Sequence, residues 1–103
     1  MKSARNGAIS PDRGGVSVEA AAETALRALA FLAVDEARVE RFLALTGVDP
    51  GDVRSLVGEA GFQLAVLDHI AGDEPLLLEF TQAEGMKPET VGRARRALGG
   101  GDE

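Results

Sequence analysis

A stretch that occurs twice constrains this chain more than any other feature. Asp35, Glu36, Phe42, Gly47, Pro50 and Val53 return as Asp73, Glu74, Phe80, Gly85, Pro88 and Val91, each displaced by 38 positions. Aligning 26–53 with 64–91 adds Leu26/Leu64, Leu29/Leu67 and Ala33/Ala71, giving nine identities in 28 positions. Unrelated stretches of ordinary composition would share about two. Apolar periodicity alone aligns any two amphipathic helices at some offset. The Asp-Glu, Gly and Pro matches resist that explanation, because these residues punctuate helices rather than fill them. The repeat predicts an all-α fold: a compact bundle of about six short helices, built as an internal duplication of a three-helix unit. The halves span about 17–58 and 59–99, and a pseudo-twofold axis could relate them.

The punctuation places the helices. Ser17 is a fitting N-cap for a helix over 18–33, with Ala22, Ala25, Leu26, Leu29, Leu32 and Ala33 on one face and Glu23 one turn before Arg27 on another. Asp35 caps a helix over 36–45 with Val39, Phe42 and Leu43 inward, and Gly47 stops it. Asp49-Pro50 starts a third over 50–58, since a proline at the first helical position lacks only an amide that would be unpaired anyway. The second half repeats this over 60–71, from the Asp73 cap to the break at Gly85 with Leu76, Leu77 and Phe80 inward, and over 88–98, except that Lys87 stands where Asp49 stood and cannot accept a capping hydrogen bond. Gly99-Gly100-Gly101 reads as a frayed end.

With 103 residues the chain holds one small domain, over 17–99. Residues 1–16 combine Asn-Gly, Ser-Pro-Asp and Gly-Gly with few apolar side chains, the pattern of a disordered arm, and 100–103 form a short tail. The absence of cysteine excludes disulfides and thiolate sites. No apolar run approaches the ~18 residues of a membrane span, and the start of the chain lacks a signal-peptide core. A cytoplasmic location with no membrane partner is expected.

The combination Phe42-Leu-Ala-Leu-Thr-Gly47, Ala65-Val-Leu-Asp68, Asp73-Glu74, Leu76-Leu77-Leu78 and Ala94-Arg-Arg-Ala-Leu-Gly99 resembles a family of small all-helical bacterial proteins, chiefly alphaproteobacterial, known as the domain of unknown function numbered 3572. The resemblance covers about 18–99. It implies a helical fold and brings no activity, cofactor or catalytic residue with it.

Charge is unevenly spread. From Val18 to Met86 there are 13 acidic residues against four arginines, a balance of −9, whereas Lys87 to Leu98 carries +3. The acidic body disfavours phosphate backbones. A helix-turn-helix could be drawn through Gly85 and the last helix, with Lys87, Thr90, Arg93, Arg95 and Arg96 as the nucleic-acid surface. In the first copy Asp49 and Asp52 would repel DNA, and Arg95 and Arg96 come late in their helix, so nucleic acid is the alternative partner rather than the first.

Neither a metal nor a reaction centre is expected. Asp68, His69, Asp73 and Glu74 lie close in sequence, but adjacent helical residues point about 100° apart, Asp73 is needed as a cap, and His69 aligns with Phe31, a packing position. The single histidine has no recognisable serine partner, and no Gly-rich loop precedes a helix. The pattern therefore reads as a non-enzymatic protein-protein interaction or regulatory module without cofactor, acting as monomer or homodimer. Its candidate partner surface is Leu76, Leu77 and Leu78, because a helix cannot bury three consecutive leucines on one face. Leu78 aligns with polar Glu40 and is the one expected to stand exposed, with Phe31 or Phe62 nearby. Each repeated residue has a structural task, so function is expected where the copies differ: Asp49 against Lys87, Glu40 against Leu78, Phe31 against His69, and the basic run.

Overall fold

The computed structural model describes residues 16–100. The arm before them and the end of the tail lie outside the described residues. Six α-helices and no strand are found there: α1 (Val18–Ala33), α2 (Glu36–Thr46), α3 (Val53–Leu56, led in by a 3-10 turn at Pro50–Asp52), α4 (Ala60–Ala71), α5 (Glu74–Glu84) and α6 (Pro88–Ala97). None is long and apolar enough to cross a membrane.

The predicted caps form. Ser17 Oγ accepts from the Ala20 amide at 3.0 Å, and the carboxylates of Asp35 and Asp73 accept from the amides three residues on, Arg38 and Leu76, both at 3.2 Å. Each such cap satisfies one of the amides that a helix start leaves unpaired, for about 1 kcal/mol. Gly47 and Gly85 end α2 and α5 at φ 76° and 68°, a left-handed conformation that a side chain makes costly. Lys87 makes no side-chain cap.

Helix α1 is central and packs against α2, α4 and α6, while α4 also meets α5 and α6. Its buried edge is Ala21, Ala25, Ala28 and Leu32. That edge is rotated from the expected face: Leu26 is 45% exposed and Ala33 is exposed too. Alanines let neighbouring helices approach closely, so the helix turns its smallest side chains toward two partners and leaves Leu26 outside. Around them Phe42, Phe62, Val66, Leu67, Ile70, Phe80, Val91 and Ala94 complete the core. Burying each large side chain contributes about 2–3 kcal/mol.

The two matching stretches share their local roles up to the third helix and differ there. Phe42 and Phe80 are both fully buried. The segment after Gly47, expected as one helix over 50–58, is a 3-10 turn and a single α-turn whose Val53, Leu56 and Val57 are only half-buried. Asp49 spends its carboxylate on the Gly51 amide at 2.8 Å, and glycines at 51 and 58 leave too few good helix formers to extend it. The connection onward is held by buried Gln63, whose amide donates to the Val57 carbonyl at 2.9 Å. By contrast α6 buries Val91 and Ala94 in the core.

The end of α6 is a second departure. Gly99, at φ 97°, donates to the Arg96 carbonyl at 3.0 Å and Gly100 to that of Arg95 at 2.7 Å. This pair of reversed bonds is a Schellman cap. Over its two described glycines the triplet is thus a formed helix stop, not a frayed end.

Candidate functional site

The expected partner surface does not form as a patch. In α5, Leu76 is 8% exposed, Leu77 packs partly against the core, and only Leu78, at 47%, stands out. Phe62 is buried and Phe31 half-buried, so neither adds an exposed ring beside it. Successive positions 100° apart fit this split, because the inward side of α5 runs through Leu76, Leu77, Phe80 and Thr81. An isolated exposed leucine is ordinary on a protein surface.

The basic helix is also divided. Arg95 Nε donates to the Asp68 carboxylate at 2.6 Å, which commits that guanidinium to tying α6 to α4. Thr90 and Arg93 are half-buried, and Lys87 and Arg96 are exposed. Glu89 precedes Arg93 by one turn and Arg96 by two, on the same outward row. A carboxylate thus stands at the head of the row that would face phosphates, and Arg95 is turned to another carboxylate beside it.

The most informative geometry appears where the two copies meet. Phe31 packs edge-on against Phe80 at 5.5 Å between ring centres and 60°. His69 packs edge-on against Phe42 at 5.2 Å and 72°. The offset of 38 converts Phe31 into His69 and Phe80 into Phe42, so each contact is the other with its halves exchanged. Two clefts lie over these contacts. One is lined by Phe31, Arg38, Glu79, Gln82 and Ala83 and measures about 350 Å3. The other, about 520 Å3, is bordered by Arg41, Leu45, Asp68, His69, Asp73 and Glu74, among others. Under the same offset Arg41 corresponds to Glu79, Leu45 to Ala83 and Asp73 to Asp35.

Their chemistry differs. In the smaller cleft Arg38 lies over the Phe31 ring at 5.1 Å, pairs with Glu79 and reaches the Asp35 carboxylate at 3.8 Å. One guanidinium therefore bridges two carboxylates and covers the ring. In the larger cleft the residue matching Arg38 is Leu76, which is buried in the core. Nothing there bridges Asp73 and Arg41, and Arg41 makes no ion pair among the described residues. Leu45 on its rim is 64% exposed. Burial of the His69 ring, reinforced by the Arg41 charge and opposed by Asp73, holds the histidine pKa below its usual 6.5, so at neutral pH the ring is uncharged.

Among the described residues no group of three or more His, Asp or Glu side chains is placed to hold a metal ion. The lining of the larger cleft offers no serine, threonine or lysine beside the histidine.

A family model described as protein of unknown function (DUF3572) matches residues 18–101. The chain belongs to that family. No curated protein and no solved structure matches it. Membership accounts for the whole helical domain and attaches no activity to any of its residues. Of the residues lining the larger cleft, sequence reasoning singled out His69 against Phe31 as a difference between copies but passed over Arg41 and Leu45. The signal was present in the same alignment: Glu79 against Arg41 is a reversal of charge, and Ala83 against Leu45 a gain of apolar bulk on the surface.

Proposed function

We propose that this chain is a cytoplasmic, non-enzymatic protein-protein interaction module whose contact surface is the cleft bounded by Arg41, Leu45 and His69. One observation carries the reading: this cleft lacks the bridge that Arg38 makes between Glu79 and Asp35 in its counterpart. Arg41 has no ion-pair partner among the described residues, and arginine is one of the residue types enriched at interface hot spots. Among the described residues no serine, threonine or lysine lies beside His69 in the cleft, which supports a binding role over a catalytic one. An acidic body with a basic helix headed by a carboxylate supports a protein over a nucleic acid as the partner.

Site-specific photo-crosslinking in cells of the source organism tests this. A photoreactive residue replacing Leu45 should give a discrete crosslinked species that disappears when Arg41→Glu is added. The same residue replacing Ala83, at the matching point of the cleft that Arg38 bridges, should give none. Equal crosslinking at both positions, or none at position 45, would overturn the proposal.

A further inference from the structure

The outer side of α1 carries an apolar row that the rest of the fold leaves largely uncovered. Val18, Ala22, Leu26, Ala30 and Val34 follow one another at steps of four, along one of the ridges by which helices pack together. Val18 is 55%, Leu26 45% and Val34 84% exposed, which makes them three of the five large apolar side chains that stand out among the described residues. Their gathering on one row sets them apart from the single leucines at 45 and 78. No residue of the row lines either cleft, so it is a surface separate from the proposed contact cleft.

The row reads Val-Ala-Leu-Ala-Val in both directions. A twofold contact requires a surface complementary to itself, each residue meeting its counterpart across the axis. Reversal about Leu26 meets that requirement: Leu26 falls on the partner's Leu26 and Ala22 opposite the partner's Ala30, with the valines at the edges. Alanines at 22 and 30 let a second helix come close. The neighbouring row is complementary in charge. Glu23 stands three residues before the centre and Arg27 one after it, so reversal brings the partner's Arg27 to within about 3 Å of Glu23 along the helix axis, and the twofold repeats the pair. Both side chains are exposed, at 66% and 50%. Arg27 already holds Glu23 of its own helix and Glu84, and a second copy extends that network. A helix of 16 residues is about 24 Å long and about 10 Å across, a footprint small beside the about 800 Å2 that each partner gives to a stable dimer. Association through it is therefore weak and concentration-dependent.

We propose that two copies of the chain pair antiparallel through α1, with Leu26 on the twofold axis between them.

Sedimentation equilibrium of the intact chain from about 10 μM to about 1 mM, the range of weak association, tests the pairing. The average mass should rise toward twice that of the monomer. Leu26→Glu, which sets two carboxylates face to face, should abolish the rise, and Leu78→Glu should leave it unchanged. The chain has no cysteine, so single introduced cysteines report the register. Packed helices lie about 8–10 Å apart, which places the two Cα atoms on the axis about 4–6 Å from each other, within disulfide reach. Leu26→Cys should therefore oxidise to a covalent dimer roughly tenfold faster than Leu78→Cys, and Ala22→Cys mixed with Ala30→Cys faster than either alone. A chain still monomeric at the highest concentration, association unaltered by Leu26→Glu, or equal oxidation at positions 26 and 78 would each overturn the proposal. A mixture no faster than its components would overturn the antiparallel register.

Discussion

Arg95 and Asp68 are joined by a 2.6 Å hydrogen-bonded ion pair that spans from the last helix to α4. Their side chains are 29% and 48% exposed, so water screens the attraction and its worth is modest. A double-mutant cycle with Arg95→Ala and Asp68→Ala, read by urea denaturation, should give a coupling of about 0.5–1 kcal/mol. It should shrink in molar salt. A coupling insensitive to salt would mean that the pair is drier than its exposure indicates.

Phe42 and Phe80 occupy matching positions, both without exposed surface. Truncation to alanine should cost about 3–5 kcal/mol at either site, a large share of the stability of a domain this size. Loss of a cooperative thermal transition in both variants, with Phe42→Leu and Phe80→Leu retaining it, is the expected outcome by circular dichroism. A mild effect at either position would contradict its place in the core.

Gly100 is the most constrained residue of the α6 cap. A Cβ added there would lie 2.8 Å from the Arg95 carbonyl oxygen and 2.9 Å from Leu64 Cδ1, distances that require the backbone to move. At Gly99 a Cβ meets no neighbour and only the φ of 97° is adverse. Gly99→Ala should therefore cost about 1 kcal/mol, and Gly100→Ala more, in equilibrium denaturation. The reverse order would mean that the Schellman turn is not held in solution.

His69 should titrate below 6.5, since burial and Arg41 both disfavour its charged form. The unfolded chain, with the ordinary value, takes up the proton first as pH falls. Stability is thus present above about pH 6.5 and is lost as acidification carries the histidine through its lowered folded-state pKa. The ring-proton titration of this single histidine gives the value directly. His69→Phe, the residue found at the matching position 31, should flatten that part of the stability profile. An NMR pKa above 6.5 would show that Asp73 outweighs burial and Arg41.

Much of the architecture was legible in residues 17–98. Caps at Ser17, Asp35, Asp49 and Asp73 and the stops at Gly47 and Gly85 are local chemistry, decided within one helical turn, and they fell where the pattern put them. The wrong expectations concern packing. The pattern of α1 offered a broad apolar face, and the choice of Ala21 and Ala28 over Leu26 and Ala33 depended on how closely α4 and α6 approach. The run Leu76-Leu77-Leu78 leaves Leu78 exposed, as its alignment with Glu40 indicates, while the other two join the core, so no patch forms around it. The third helix of the first half shortened because nothing buries it as α6 is buried.

The doubled Asp-Glu…Phe…Gly…Pro…Val run determined by itself that the chain is helical, where the capped helices start and the Gly47 and Gly85 stops fall, and which phenylalanines anchor it, because those outcomes follow from backbone geometry and capping near each residue. Only the tertiary structure decided that the halves exchange contacts, Phe31 onto Phe80 and His69 onto Phe42. That exchange joins residues far apart in sequence. One of the two clefts is bridged by an arginine between two carboxylates, and its counterpart is not, because a leucine drawn into the core stands where the arginine would be.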